Sequence, residues 1–123
     1  MARPWEKCRV VRIVNLTQHP ITIYDESGEN VVEEIPPSGT VARVRAEQPV
    51  IGYINDVPVV KTEWGEVEGL PEPEECTVYV VSTLVLQALA GKRDDVVSPD
   101  TGPASAVRDE TNRIIGVRRF QTI

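Results

Sequence analysis

The chain holds a single histidine, two cysteines and one methionine in 123 residues, and only 5% of it is aromatic. That scarcity argues against a structural zinc site, which needs four Cys or His ligands, and Cys8 and Cys76 form no CxxC pair. No apolar run approaches a membrane span in length. Trp5, Glu6 and Arg9 interrupt any signal-peptide core near the start. No glycine-rich phosphate loop precedes a helix, which rules out a P-loop nucleotidase. Internal repeats and low-complexity tracts are also lacking. Cys8 and Cys76 can pair only if their strands are adjacent, which spacing does not reveal. Two buried free thiols in a reducing, cytoplasmic setting are therefore the expectation, and the Asn15-Leu16-Thr17 sequon is read as a chance match.

What is present is the composition of a globular protein, 41% hydrophobic and 26% charged. The length suits a single domain over residues 1–123, with residues 1–8 expected to be flexible. With few aromatics, the core must be aliphatic, and valine makes up a sixth of the chain. β-Branched side chains fit pleated, half-buried surfaces, so a β-rich domain is expected. The net charge of −6 disfavours general nucleic-acid binding, because a phosphate backbone repels an acidic surface.

Alternation and turn residues divide the chain further. Strands are expected over Arg9–Leu16, Pro20–Tyr24 and Val31–Ile35, the last two joined by the turn Asp25–Asn30 around Gly28. After the Pro36–Thr40 loop, Val41–Glu47 alternates an apolar face with Arg43 and Arg45. Val50–Ile54 and Val57–Trp64 flank Asn55-Asp56, a two-residue hairpin link, and Pro58 marks the second strand as an edge. Gly65–Glu75 reads as an acidic, solvated loop. "CTVYVV" (Cys76–Val81) is apolar on both faces, as in a central strand. It runs into a short helix over Leu84–Ala90, capped by Ser82 or Thr83, closed by Gly91 and expected to be buried on every side. Arg93–Ser105 is expected to be a loop, and a last hairpin around "TNR" ends near Phe120. The sum is eight or nine strands and one helix: an α+β domain, predominantly antiparallel, with a partly closed barrel or sandwich as the specific expectation.

Four places could carry chemistry. Ser82 and Thr83 at the strand–helix junction offer hydroxyls and free N–H groups to an anion, although capping alone accounts for them. Arg93, Asp94 and Asp95 could clamp a phosphate or hold a cation, although neighbouring residues in an extended segment point apart. A second Arg-Asp pair, Arg108 and Asp109, is consistent with a shared charged network. His19 could serve as an acid or base; alternatively, Thr17, Gln18 and His19 satisfy the backbone at the turn before Pro20, which is the favoured reading. Arg43 and Arg45 could face an anionic partner or balance Glu33, Glu34 or Glu47 across strands.

Three segments, "NLTQHPITIY", "PPSGTVARV" and the stretch from "GLPEPEECTVYVV" through "RDDVVSPDTGPA" to "RDETNRIIGV", carry a resemblance. Their strand-turn "NLTxH", "PSG" loop and "RDD" segment followed by a C-terminal hairpin resemble a family of small uncharacterised proteins encoded by bacteria and their phages. The likeness spans Asn15 to Val117 and implies one compact domain in a phage or mobile-element setting. It implies no activity.

Two functions follow as expectations. The first is a non-enzymatic binding or interaction module, self-associating through edge strands, with no cofactor, metal or membrane contact. The second is a protein that binds or hydrolyses a nucleotide or other anionic small molecule, using Ser82, Thr83, Arg93 and His19. It requires those groups to line one pocket.

Overall fold

The β-branched runs do pair as strands, but many of their partners are distant in sequence. The computed structural model describes residues 3–123, which form twelve strands and one helix. The first half contains β1 (Arg12–Asn15), β2 (Ile21–Tyr24), β3 (Val31–Ile35), β4 (Arg43–Glu47), β5 (Val50–Ile54), β6 (Val57–Val60) and β7 (Glu63–Glu68). The second contains β8 (Thr77–Val80), helix α1 (Thr83–Ala88), β9 (Val96–Pro99), β10 (Ala106–Arg108), β11 (Ile114–Val117) and β12 (Phe120–Gln121).

The most buried sheet has the order β1-β8-β9-β12, drawn from both ends of the chain. β8 lies parallel to β1 and to β9, while β12 runs antiparallel to β9. As its two apolar faces require, β8 is central and wholly buried. Tyr79 and Val81 enter one core with Leu16, Val85, Leu86, Leu89 and Val96. Val78 and Val80 enter a second core on the opposite face, with Ile21, Ile35 and Val97. Helix α1 makes the crossover between the parallel strands β8 and β9 and covers the first face.

A second sheet, β10-β11-β2-β3, covers the other face. β2 and β3 form the expected hairpin through Asp25–Asn30. The Asp25 carboxylate accepts hydrogen bonds from Ser27 (2.6 Å) and Asn30 (2.8 Å), which lower its pKa to about 2. β11 joins β2 in parallel at Val117 and Ile23. Gly116 permits this, because a Cβ there would collide with the Tyr24 ring and the Thr22 carbonyl.

The remaining strands form a two-stranded ribbon, β4 against β7 and β5 against β6. Asn55 and Asp56 turn the chain at the tip with φ of 48° and 67°, the left-handed geometry expected of their two-residue link.

Several expectations need correction. Cys8 and Cys76 are not free thiols: they form a disulfide closing 68 residues of sequence, with Cα atoms 5.7 Å apart. Of the segment expected to be flexible, residues 1–2 lie outside the described residues. In the rest, Cys8 is bridged and Trp5 packs on the second core. The first strand is shorter than Arg9–Leu16. Val57–Trp64 is not one strand: it breaks at Lys61-Thr62, and Glu63–Glu68 pairs with β4 inside the expected acidic loop. Val67 and Leu70 pack on the first core, an attachment that a local reading of glutamates does not register. The expected Arg93–Ser105 loop contains β9, whose Val96 and Val97 complete the central sheet. Helix α1 is buried on one face only, and Leu84 is 60% exposed. Antiparallel pairings outnumber parallel ones, yet parallel pairing organises the core, and no closed barrel forms among the described residues.

Candidate functional site

The segment "NLTQH" lies where β1 ends. Asn15 is 1% exposed, and its amide donates to the carbonyls of His19 (2.8 Å) and Ile35 (3.1 Å). Its Oδ1 accepts from the Thr17 N–H (2.9 Å) and hydroxyl (2.7 Å). Asn15 is therefore the polar pin of the turn, and the His19 imidazole is exposed to solvent. Replacing Asn15 with Ala strips four buried or half-buried backbone and hydroxyl groups of their partner and is expected to cost about 2–3 kcal/mol. His19→Ala is expected to change stability by no more than about 0.5 kcal/mol. Urea denaturation of the two variants checks this, and a larger loss from His19→Ala would reverse the assignment.

Because β1 and β8 are parallel, their carboxyl ends lie side by side. This brings Thr17, Gln18 and His19 together with Ser82 around a cleft of about 280 Å³, floored by Leu16, Val41 and Ala42. Ser82 and His19, distant in the chain, do meet here. The two hydroxyls of the cleft are already engaged: Ser82 Oγ accepts from Val85 N (3.3 Å) as the helix cap, and Thr17 Oγ1 bonds Asn15 and His19. Thr83 is exposed on the first turn of α1.

Arg93 is elsewhere. It precedes β9, and so stands at the amino edge of the sheet, opposite the cleft. Its guanidinium makes a two-pronged ion pair with Asp95, 2.9 and 2.8 Å, donates to the Pro71 carbonyl (3.0 Å) and lies 6.0 Å from the Tyr79 ring centre. Its hydrogen bond with Asp95 raises its pKa further above the usual arginine value. Asp95 is 2% exposed, whereas Asp94 points to solvent, so the two carboxylates do not converge. The Tyr79 hydroxyl donates to the Glu72 carbonyl (3.0 Å), and its pKa is raised, chiefly by burial. Together these groups fasten the Gly65–Glu75 segment to the sheet.

Arg108 and Asp109 shape the last hairpin. Arg108 donates to the Asn112 carbonyl (2.7 Å), and Asp109 accepts from Thr111 and from Arg113 N. The bond from the Thr111 hydroxyl leads in lowering the Asp109 pKa. The two Arg-Asp pairs thus make separate local contacts. Arg43 pairs across strands with Glu68, and Arg43 and Arg45 share a depression with Glu66 and Glu68 rather than with Glu33 or Glu34. Among the described residues, no three His, Cys, Asp or Glu side chains gather as a metal site, and no helix is long and apolar enough to cross a membrane.

The residues that stand out were not singled out by their chemistry. Of thirteen large apolar side chains exposed among the described residues, six lie on the eleven residues Val50–Val60. Register puts Val50, Tyr53, Pro58 and Val60 on one face of the β5–β6 arm, and Ile54, Val57 and Val59 on the other. Tyr53 is 70% exposed, Ile54 65% and Ile51, at the bulge, 63%. The available sequence signal was the near absence of charge: Asp56 is the only charged residue from Gln48 to Val60. Comparison with protein-family models, curated proteins and solved structures finds no match for this chain.

Proposed function

We propose that the protein is a non-enzymatic interaction module whose contact element is the β5–β6 arm. The carrying observation is the exposure of Val50, Ile51, Tyr53, Ile54, Val57 and Val60 on one projecting hairpin. Exposed apolar β-structure promotes unwanted pairing, and proteins ordinarily blunt such edges with charge or proline. β6 carries Pro58 and β5 a bulge at Ile51, but neither strand carries a charge. An arm of this kind on a chain of net charge −6 fits a surface that is covered when the protein works.

The small-ligand reading has less behind it. His19 and Ser82 share a cleft, but Arg93 is at the far edge of the sheet, and the cleft hydroxyls serve the backbone. The Cys8–Cys76 bridge favours an oxidising setting over the reducing cytoplasm.

A photo-crosslinking amino acid placed at position 53 in producing cells tests the interaction reading. Protein adducts are expected at position 53 and not at the exposed Glu110. Equal labelling at both positions, or none at 53, would defeat it.

A further inference from the structure

We propose that an apolar cavity on the β1-β8-β9-β12 sheet binds a single-chain amphiphile, a fatty carboxylate whose chain lies across the strands and whose head meets Arg3. This site is separate from the arm and does not rest on the reading of it.

The fold covers one face of this sheet incompletely. Ile21 and Ile35 of the second sheet pack there with Val80. Among the described residues, however, none from β2, β3, β10 or β11 lines the cavity beside them. Its floor is Ile13, Val78, Val97 and Phe120, one residue from each of the four strands, and Trp5 forms a wall. The space is about 320 Å³, at the small end of the range of roughly 300–1,000 Å³ in which small-molecule sites fall. Crossing four strands takes three steps of about 4.8 Å, so the floor runs for roughly 14 Å, the reach of a chain rather than of a single ring.

The lining selects an apolar body. No charged side chain lines the cavity among the described residues, and its two polar ones are turned to the backbone. Thr122 Oγ1 donates to the Val96 carbonyl (2.9 Å), and Gln121 Nε2 donates to the Pro99 carbonyl (3.4 Å). Water finds few partners on such walls, so exchanging it for methylene groups is favourable.

The rim selects an anionic head. Arg3 donates to the Ile123 carbonyl at 3.1 Å, which places it at the mouth: Trp5 follows it by two residues, and Thr122 precedes Ile123. That contact uses one of the five N–H groups of the guanidinium, whose planar fork suits a carboxylate. Lys7 and Arg9 stand in the same segment, against Glu6 alone, in a chain whose acidic residues outnumber Lys and Arg by nineteen to thirteen. An acidic protein thus gathers positive charge beside an apolar cavity, the combination that an anionic head on an apolar tail requires.

NMR titration of the full chain, disulfide intact, with sodium decanoate tests the site. A saturable shift of the Trp5 indole N–H at one equivalent is expected, with NOEs from the decanoate chain to the Phe120 ring and the Ile13 methyl groups. Arg3→Glu is expected to weaken decanoate binding about tenfold or more, the weight of one charge-assisted hydrogen bond, and to leave binding of the neutral decanol unchanged. Val11→Phe, which fills the cavity from its half-buried edge, is expected to abolish binding of both while the amide spectrum stays native. The inference is overturned by the absence of a saturable shift at Trp5, by decanoate contacts confined to residues 50–60 of the arm, or by undiminished decanoate affinity in Arg3→Glu. A folded Val11→Phe variant that still binds overturns it too, as do equal shifts from acetate, which has a head and no chain.

Discussion

Reduction of the Cys8–Cys76 bridge is expected to remove about 4 kcal/mol of stability, because the bond closes a loop of 68 residues that the unfolded chain otherwise explores freely. A domain of this size has roughly 5–15 kcal/mol in all, so this is a large share of its margin. Structurally, the bridge ties the segment before β1 to the residue before β8. At that end the Arg12 N–H already donates to the Cys76 carbonyl at 2.8 Å. Trp5, held by the same segment, closes one side of an apolar cavity of about 320 Å³ with Ile13, Val78, Val97 and Phe120. Loss of the bridge therefore loosens a wall of the second core as well as lengthening the free chain. Urea denaturation with and without reductant checks the magnitude, and a midpoint shift of roughly 2–3 M is expected. An unchanged midpoint, with two alkylatable thiols in the untreated protein, would show that the cysteines are not joined.

Arg93→Met is expected to lose about 3 kcal/mol, although Arg93 is far from the proposed contact surface. The substitution keeps the alkyl stem against Tyr79 and deletes the cation paired with a carboxylate that is almost wholly buried. Asp95 must then stay charged without a partner or take up a proton, and both are costly inside the fold. The Pro71 carbonyl also loses its donor, which frees the Gly65–Glu75 segment from the sheet. Adding Asp95→Asn to Arg93→Met is expected to recover about half of the loss, since a neutral amide tolerates the site better. Thermal or urea unfolding of the two single variants and the double variant measures the coupling. If Arg93→Met costs under about 1 kcal/mol, the ion pair is not what fastens this segment. Interaction through the arm should be unchanged in any of these variants that folds.

Much of the fold was legible because strand-forming signals are local. "CTVYVV" announced a central strand by having no polar face, and Asn55-Asp56 announced its hairpin because both residues accept a left-handed backbone. Ser82 marked the helix start through its cap chemistry, whereas the helix closes at Leu89, and the positive φ of Gly91 falls in the turn beyond it. The missed strands were missed for a shared cause. Glu63–Glu68 is polar on one face and contributes only Trp64 and Val67 to the interior, while Val96-Val97 is a pair too short to show a period. Each becomes a strand because a distant partner accepts it, β4 in one case and β8 in the other. Of Thr17, Gln18 and His19, expected to satisfy the backbone of the "NLTQH" turn, only the Thr17 side chain does so, and the pin is Asn15.

The sequence by itself determined composition-level and local properties: an aliphatic β-rich core, one short capped helix, an acidic surface, and a hairpin between residues 48 and 60 whose only charge is Asp56. Each of these depends on neighbours within a few positions, and so survives without knowledge of the fold. Only the tertiary structure decided what depends on contacts across the chain. It set Cys8 against Cys76, brought His19 to Ser82 while carrying Arg93 to the opposite edge, and left the two faces of "VIGYI" uncovered. An apolar strand reads the same whether a core covers it or solvent meets it. The difference lies in whether another element packs against it, and for β5 no element of the described chain does so beyond its hairpin partner.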